Sequence, residues 1–132
     1  MKFVGLAAMD RKLLAIRDAV SPASRERSLM AGAVIIQAEA QRLVPVLTGN
    51  LRESIIISFD AGLNFAAVKQ SRFFSAIYVG PSKDQGFYGH MVELGTSHSP
   101  AHPFMRPALD NTREEVRRAM GSSLWADVKK AA

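Results

Sequence analysis

The chain has 132 residues, 48% of them apolar, no cysteine and a formal net charge of +5. That length suits one domain, spanning 1–132, with enough apolar side chains to fill a core. The missing thiols exclude a disulfide frame and any thiolate metal site, and no apolar run approaches the roughly 18 residues of a membrane span. The basic excess permits contact with nucleic acid or an acidic partner but specifies neither. Lys and Arg are spread along the chain without interleaved aromatics, so most of this charge reads as a solvated surface.

The apolar stretch Phe3–Met9 is short and is followed at once by Asp10, Arg11 and Lys12, which argues against a secretory signal. Leu6, Met9, Leu13, Ile16 and Val20 recur at three- and four-residue steps and predict an amphipathic helix. Ser21-Pro22 then ends one helix and starts another, with Ser21 as cap and Pro22 in the first turn. The second helix runs to about Arg42, with Leu29, Ala33, Ile36, Ala40 and Leu43 on one face. It stops at Val44-Pro45, because the residue before proline is pushed out of the helical region. Gly49 marks a turn, and Asn50 with Glu53 has capping-box spacing for one helical turn.

Ile55 to Phe59 predicts a strand from its β-branched content. A hairpin-like turn follows at 60–64, then strands at about 65–69 and from Phe74 to Val79, ended by Gly80-Pro81. "GPSKDQG" is an exposed loop by composition. "FYGHMVELGT" (87–96) fits either a short helix ending at Gly95 or a strand, and the helix is favoured. From about Arg106 a long helix carries Leu109, Val116, Met120, Leu124 and Val128 on one stripe, with Gly121 as an internal soft spot. The expected class is α+β: N-terminal helices and a long C-terminal helix packed on a small antiparallel β-sheet.

The candidate chemistry centres on "GTSHSPAHPFMRPALD" (95–110). A metal reading would use His90, Glu93, His98 and His102. Pro100 and Pro103 oppose the helix that would align His98 with His102, and the HExxH pattern is absent. No serine sits in a nucleophile elbow, and Glu93 reads better as a capping or arginine-pairing group than as an acid partner. The expectation is therefore no catalytic, cofactor or metal residue. Two readings of the proline-stiffened linker 95–103 stay open: an arm that docks on a neighbour, or a segment folded back on its own domain with Phe104 in the core. Loop 80–87 and the N-terminal helix are further candidates for subunit contact.

Three blocks then occur in order: "VPVLTGNLRESI" (44–55), "YGHMVELGT" (88–96) and "PAHPFMRPALD" (100–110). Together they resemble the small neck and tail-completion proteins of lambdoid-type long-tailed bacteriophages, the head–tail joining or minor tail components. The resemblance covers nearly the whole chain. It assigns Thr48, Gly49, Leu51, Ser54 and Ile55 to the first block, and Tyr88, Val92, Glu93, Gly95 and Thr96 to the second. Pro100, Ala101, Pro103, Phe104, Arg106, Pro107 and Ala108 belong to the third. Leu47 stands where the family often has a polar residue and Leu94 where it often has Phe. The resemblance implies fold determinants rather than catalytic groups. It further implies a homo-oligomeric ring, commonly sixfold, that contacts tail-tube and head-connector proteins and lets DNA pass through its lumen without sequence-specific binding. Location in the virion neck or tail, and in the host cytoplasm during assembly, with no membrane partner, follows from the same resemblance. The alternative from a different class is a nucleic-acid-binding accessory protein.

Overall fold

The computed structural model describes residues 4–45, 49–59, 75–84, 86 and 88–131. In chain order they form α1 (Leu6–Ala19), α2 (Pro22–Leu43), α3 (Asn50–Ser54), β1 (Ile55–Ser58), β2 (Tyr78–Pro81), α4 (Gly89–Leu94) and α5 (Met105–Ala131). The class is α+β, as the element order predicts. No helix among the described residues is long and apolar enough to cross a membrane.

Local chemistry sets most helix ends. The Ser21 hydroxyl accepts the Ser24 amide at 3.2 Å, with Pro22 in the first turn of α2. At the other end Val44 is extended, ahead of Pro45. The third helix departs from expectation. Gly49, at φ 84°, is the cap residue and Asn50 is already helical, so no side-chain capping box closes this turn. A positive φ is the conformation that glycine adopts at least cost.

The spine of the molecule is the packing of α2 against α5. The stripe Leu109, Val116, Met120, Leu124, Val128 is not what α5 buries most deeply. Ala108 and Thr112 are the buried residues of this helix, and Leu109 is 41% exposed. The reason lies on α2, whose buried positions are Ser24, Ser28, Gly32, Ala33 and Ala40. Small residues let the two backbones approach closely, so the small positions of α5 take the contact line and its larger side chains flank it. A Cβ placed on Gly32 would lie 2.8 Å from the Met120 side chain. Cross-links hold the register: Ser28 Oγ donates to the Met120 carbonyl at 2.8 Å, and Asp127 accepts from Ser24 Oγ at 2.7 Å and from Arg27 at 3.0 Å.

The sheet is one antiparallel pair, with Ile55 opposite Pro81 and Ser58 opposite Tyr78. β2 therefore begins later than the expected strand from Phe74 and runs through Gly80-Pro81 instead of stopping there. The Ser82 amide donates to the Ser54 carbonyl at 2.9 Å, which makes Ile55–Pro81 a non-hydrogen-bonded pair that asks no amide of the proline, and Gln37 Nε2 satisfies the Ile55 carbonyl at 2.9 Å. The strand expected at 65–69, the turn at 60–64 and Thr48 lie outside the described residues. Around the sheet end, Val44, Leu51, Ile55, Phe104 and Ala108 close one core with Ala40, flanked by Tyr88, Val92 and Met105.

α1 is the main correction. Its predicted apolar face is not buried in this core: no residue of α1 is buried, and Leu6, Met9 and Leu13 stand about half exposed. Only its C-terminal part, from Ala15, is half-buried, and the helix it packs on is α5.

Two glycines in the spine have opposite roles. A methyl group added at Gly121 would meet open space, whereas one at Gly32 would meet Met120 and Val116. Gly121→Ala is expected to raise stability by about 1 kcal/mol through helix propensity, and Gly32→Leu to lower it by about 2 kcal/mol or more through overpacking; urea denaturation of both variants checks the contrast. The Ser24 hydroxyl, then Arg27, holds the Asp127 carboxyl below the ordinary aspartate range. A depressed folded value means a stabilising contribution present at neutral pH and lost as pH falls through that value. Asp127→Asn should therefore be less stable than the parent near pH 7, with the gap closing in strong acid, measured by denaturant midpoints across pH.

Candidate functional site

The three sequence blocks meet at the sheet end. Leu51, Ser54 and Ile55 of the first block are buried, and Ser54 Oγ donates to the Leu51 carbonyl at 2.7 Å while its own carbonyl accepts the Ser82 amide. Tyr88 and Val92 of the second block pack on this core, as do Phe104 and Ala108 of the third, both fully buried. A single carboxylate binds the second block to the third. Glu93 Oε2 accepts the Phe104 and Met105 amides at 2.7 and 2.9 Å, and Oε1 accepts the Arg106 amide at 3.1 Å. The first amides of a helix have no intrahelical partners and carry the positive end of its dipole. Glu93, reaching across from α4, supplies both the acceptors and the compensating charge for α5. It is a capping group, the structural role that its sequence context favours.

The segment before α5 is a closed loop and not an outstretched arm. Gly95, at φ 77°, lies so close to Ala101 that an added Cβ would fall 2.8 Å from the Ala101 nitrogen. Thr96 Oγ1 accepts the Ser99 amide at 3.1 Å, the Thr96 amide donates to the Ser99 carbonyl at 2.9 Å, and the His102 amide donates to the Val92 carbonyl at 2.8 Å. Pro100, Ala101 and Pro103 are exposed on this loop, and Phe104 plugs the core behind it. Of the two open readings, the fold takes the second. Arg106 pairs with Asp110 at 3.0 Å and Pro107 sits in the first turn of α5.

The groups considered for metal chemistry are dispersed in role. Both Glu93 oxygens are engaged by α5, and His90, His98 and His102 are exposed. Among the described residues no three His, Asp or Glu side chains are grouped to hold a metal ion. Six of the basic side chains, Arg17, Arg27, Arg42, Arg106, Arg113 and Arg117, each form an ion pair with an acid of this chain.

Large apolar side chains also remain open to a partner. Val4, Leu6, Met9, Leu13 and Leu14 are exposed on or beside α1. A groove of about 440 Å³ runs along α2 and α5 beside β2, lined among the described residues by Leu29, Ile36, Ile77, Leu109, Val116 and Met120. A second recess of about 270 Å³ lies beside Pro81, Gly89, Leu94 and Met105, with Leu94 78% exposed at its edge. Sequence reasoning did not find the groove. The available signal was the four-residue spacing of Ser24, Ser28 and Gly32, which foretells a close helix contact with larger side chains standing off on either side.

The capping carboxylate is testable by itself. Glu93→Gln keeps the shape but replaces one acceptor by a donor and removes the charge. We expect a loss of about 2 kcal/mol, the range of hydrogen bonds to a charged group, read as a melting temperature lower by about 5–10 °C.

Comparison with known proteins matches residues 7–95 to the family described as "Bacteriophage HK97-gp10, putative tail-component". Searches of curated proteins and of solved structures return no significant match. The matched span holds nearly all of α1, then α2 through α4 with the sheet, and so the first block, the second up to Gly95, and Glu93 but not the α5 amides it accepts. The chain belongs to the HK97-gp10-like family of bacteriophage tail components.

Proposed function

We propose that this chain is a structural morphogenesis protein that joins or completes the tail of a tailed phage at the head–tail interface, as a subunit of a ring. The observation that carries the reading is the family match over residues 7–95. The chemistry of the fold supports it. The carboxylates Glu93 and Asp127 are committed to holding helices together, while large apolar side chains and a shaped groove are left uncovered. Contacts to tail-tube and head-connector proteins, residence in the virion, and passage of DNA through a lumen belong to the same proposal. The motif residues, from Gly49 to Pro107, act in it as determinants of shape.

A ring needs a subunit whose contact geometry is fixed, because a rotation repeated with error does not close. The α2–α5 spine with a carboxylate-capped helix start is such a subunit. Light scattering on the purified chain, with and without tail-tube and head-connector proteins, tests the reading. A discrete multimer, alone or with those partners, is expected. A chain that stays single in every mixture overturns it. Fluorescence anisotropy with duplex DNA separates the nucleic-acid alternative, which requires binding that falls steeply with salt; a flat trace at low salt is expected.

A further inference from the structure

We propose that the exposed apolar ridge of α1 docks into the α2–α5 groove of a second copy of this chain, giving a head-to-tail contact that each subunit both offers and receives. The inference deepens the ring reading and rests on it.

Both halves of the contact are on every copy. Leu6, Met9 and Leu13 fall on one side of α1 at three- and four-residue steps, each at least half exposed. They span about 10 Å of helix axis at 1.5 Å per residue, while the groove follows α5 from Met105 to Met120, about 22 Å. The ridge therefore fits within the groove's length. Volume agrees. An apolar cavity of about 150 Å³ takes one benzene-sized group, so about 440 Å³ suits three large apolar side chains. Chemistry agrees too. The only charged residues lining the groove among those described, Glu93 and Arg106, already bind the α5 amides and Asp110. An apolar helix face asks nothing further of them, whereas a phosphate or an acidic peptide would find no unpaired cation among these lining groups.

The ridge does not lie in its own groove, since Leu6, Met9 and Leu13 are exposed while the C-terminal part of the same helix packs on α5. Contact between unlike patches on identical copies is heterologous, so it forms a closed ring or an open filament. One short helix in one groove buries less than the roughly 800 Å² per partner of a stable two-body interface. Isolated pairs should thus be sparse. The closing contact of a ring is intramolecular and needs no further loss of translational freedom.

The native chain has no cysteine, so engineered thiols report cleanly. Leu13→Cys and Leu109→Cys both replace exposed side chains. In the full chain carrying both, a short bismaleimide cross-linker is expected to give a ladder of multimers ending at a closed species, while either single variant stays monomeric on a denaturing gel. Leu13→Glu is expected to raise the concentration for half-assembly by about tenfold or more, with helical circular dichroism retained. The absence of a ladder, self-cross-linking by Leu13→Cys alone, or unaltered assembly of Leu13→Glu overturns the contact. If the parent chain forms rings and residues 13 and 109 do not cross-link, or if it assembles only with a tail-tube partner, this contact falls and the ring reading stands. A chain that remains single in every mixture defeats both.

Discussion

Helix α5 is 27 residues long, and its first amides emerge from a loop whose side chains are exposed from Thr96 to Pro103. Left there, the positive end of a long helix would face little but solvent. The Glu93 carboxylate prevents this by accepting the Phe104, Met105 and Arg106 amides together. Its charge acts where the helix dipole is strongest and within one turn of its origin. Because Glu93 belongs to α4, the position of α4 decides where α5 begins. α4 is itself held tightly, since a Cβ on Gly89 would fall 2.6 Å from Pro81 and one on Gly95 would strike Ala101. The sheet end, the short helix and the start of the long helix therefore behave as one block, and the direction of the spine follows from it.

Further along, the spine is fixed by a different device. α2 presents Ser24, Ser28 and Gly32 to α5 at every fourth residue, which brings the backbones close and puts hydroxyls within reach of the partner helix. The bond from Ser28 to the Met120 carbonyl and the Ser24–Asp127–Arg27 cluster are register marks. An apolar seam alone would tolerate sliding by a turn; a buried hydroxyl that loses its acceptor would not, because an unsatisfied polar group is costly. Among the described residues no buried side-chain nitrogen or oxygen lacks a partner. One end of the spine is thus set by a carboxylate cap and the other by interhelical hydroxyl bonds.

The contrast between what local sequence reveals and what it hides follows from the range of the interactions. Ser21-Pro22, Val44-Pro45 and Gly95 act on their own backbone, so the helix ends they set are readable from neighbouring letters. Glu93 is readable as a cap, yet not as the cap of a helix that starts twelve residues later, because its partners are found only once the closed loop has formed. The place of β2 was hidden for the same reason: Tyr78–Pro81 is chosen by pairing with β1, which is remote in sequence. Asn50 shows the reverse error. Its spacing to Glu53 satisfies a local rule, but the positive φ available to Gly49 lets the helix begin one residue earlier. Of the motif residues, Leu51, Ile55, Phe104 and Ala108 are buried together, whereas Thr96, Pro100, Ala101, Pro103 and Arg106 are exposed.

The periodicity of α1 carries a subtler lesson. A three-four repeat of apolar residues says that a helix has a face to bury, and it says nothing of which molecule supplies the cover. Where α2 and α5 meet, the cover is intramolecular. In α1 the repeat continues past the part that packs on α5, and its N-terminal half is left in solvent. A monomer gains nothing from those side chains, whereas a tail component, whose work is to recognise neighbouring subunits, has a use for them. Charge would serve that purpose less well, because exposed ion pairs contribute little to affinity in salt. Apolar shape persists at any ionic strength, and the N-terminal half of α1 keeps it exposed.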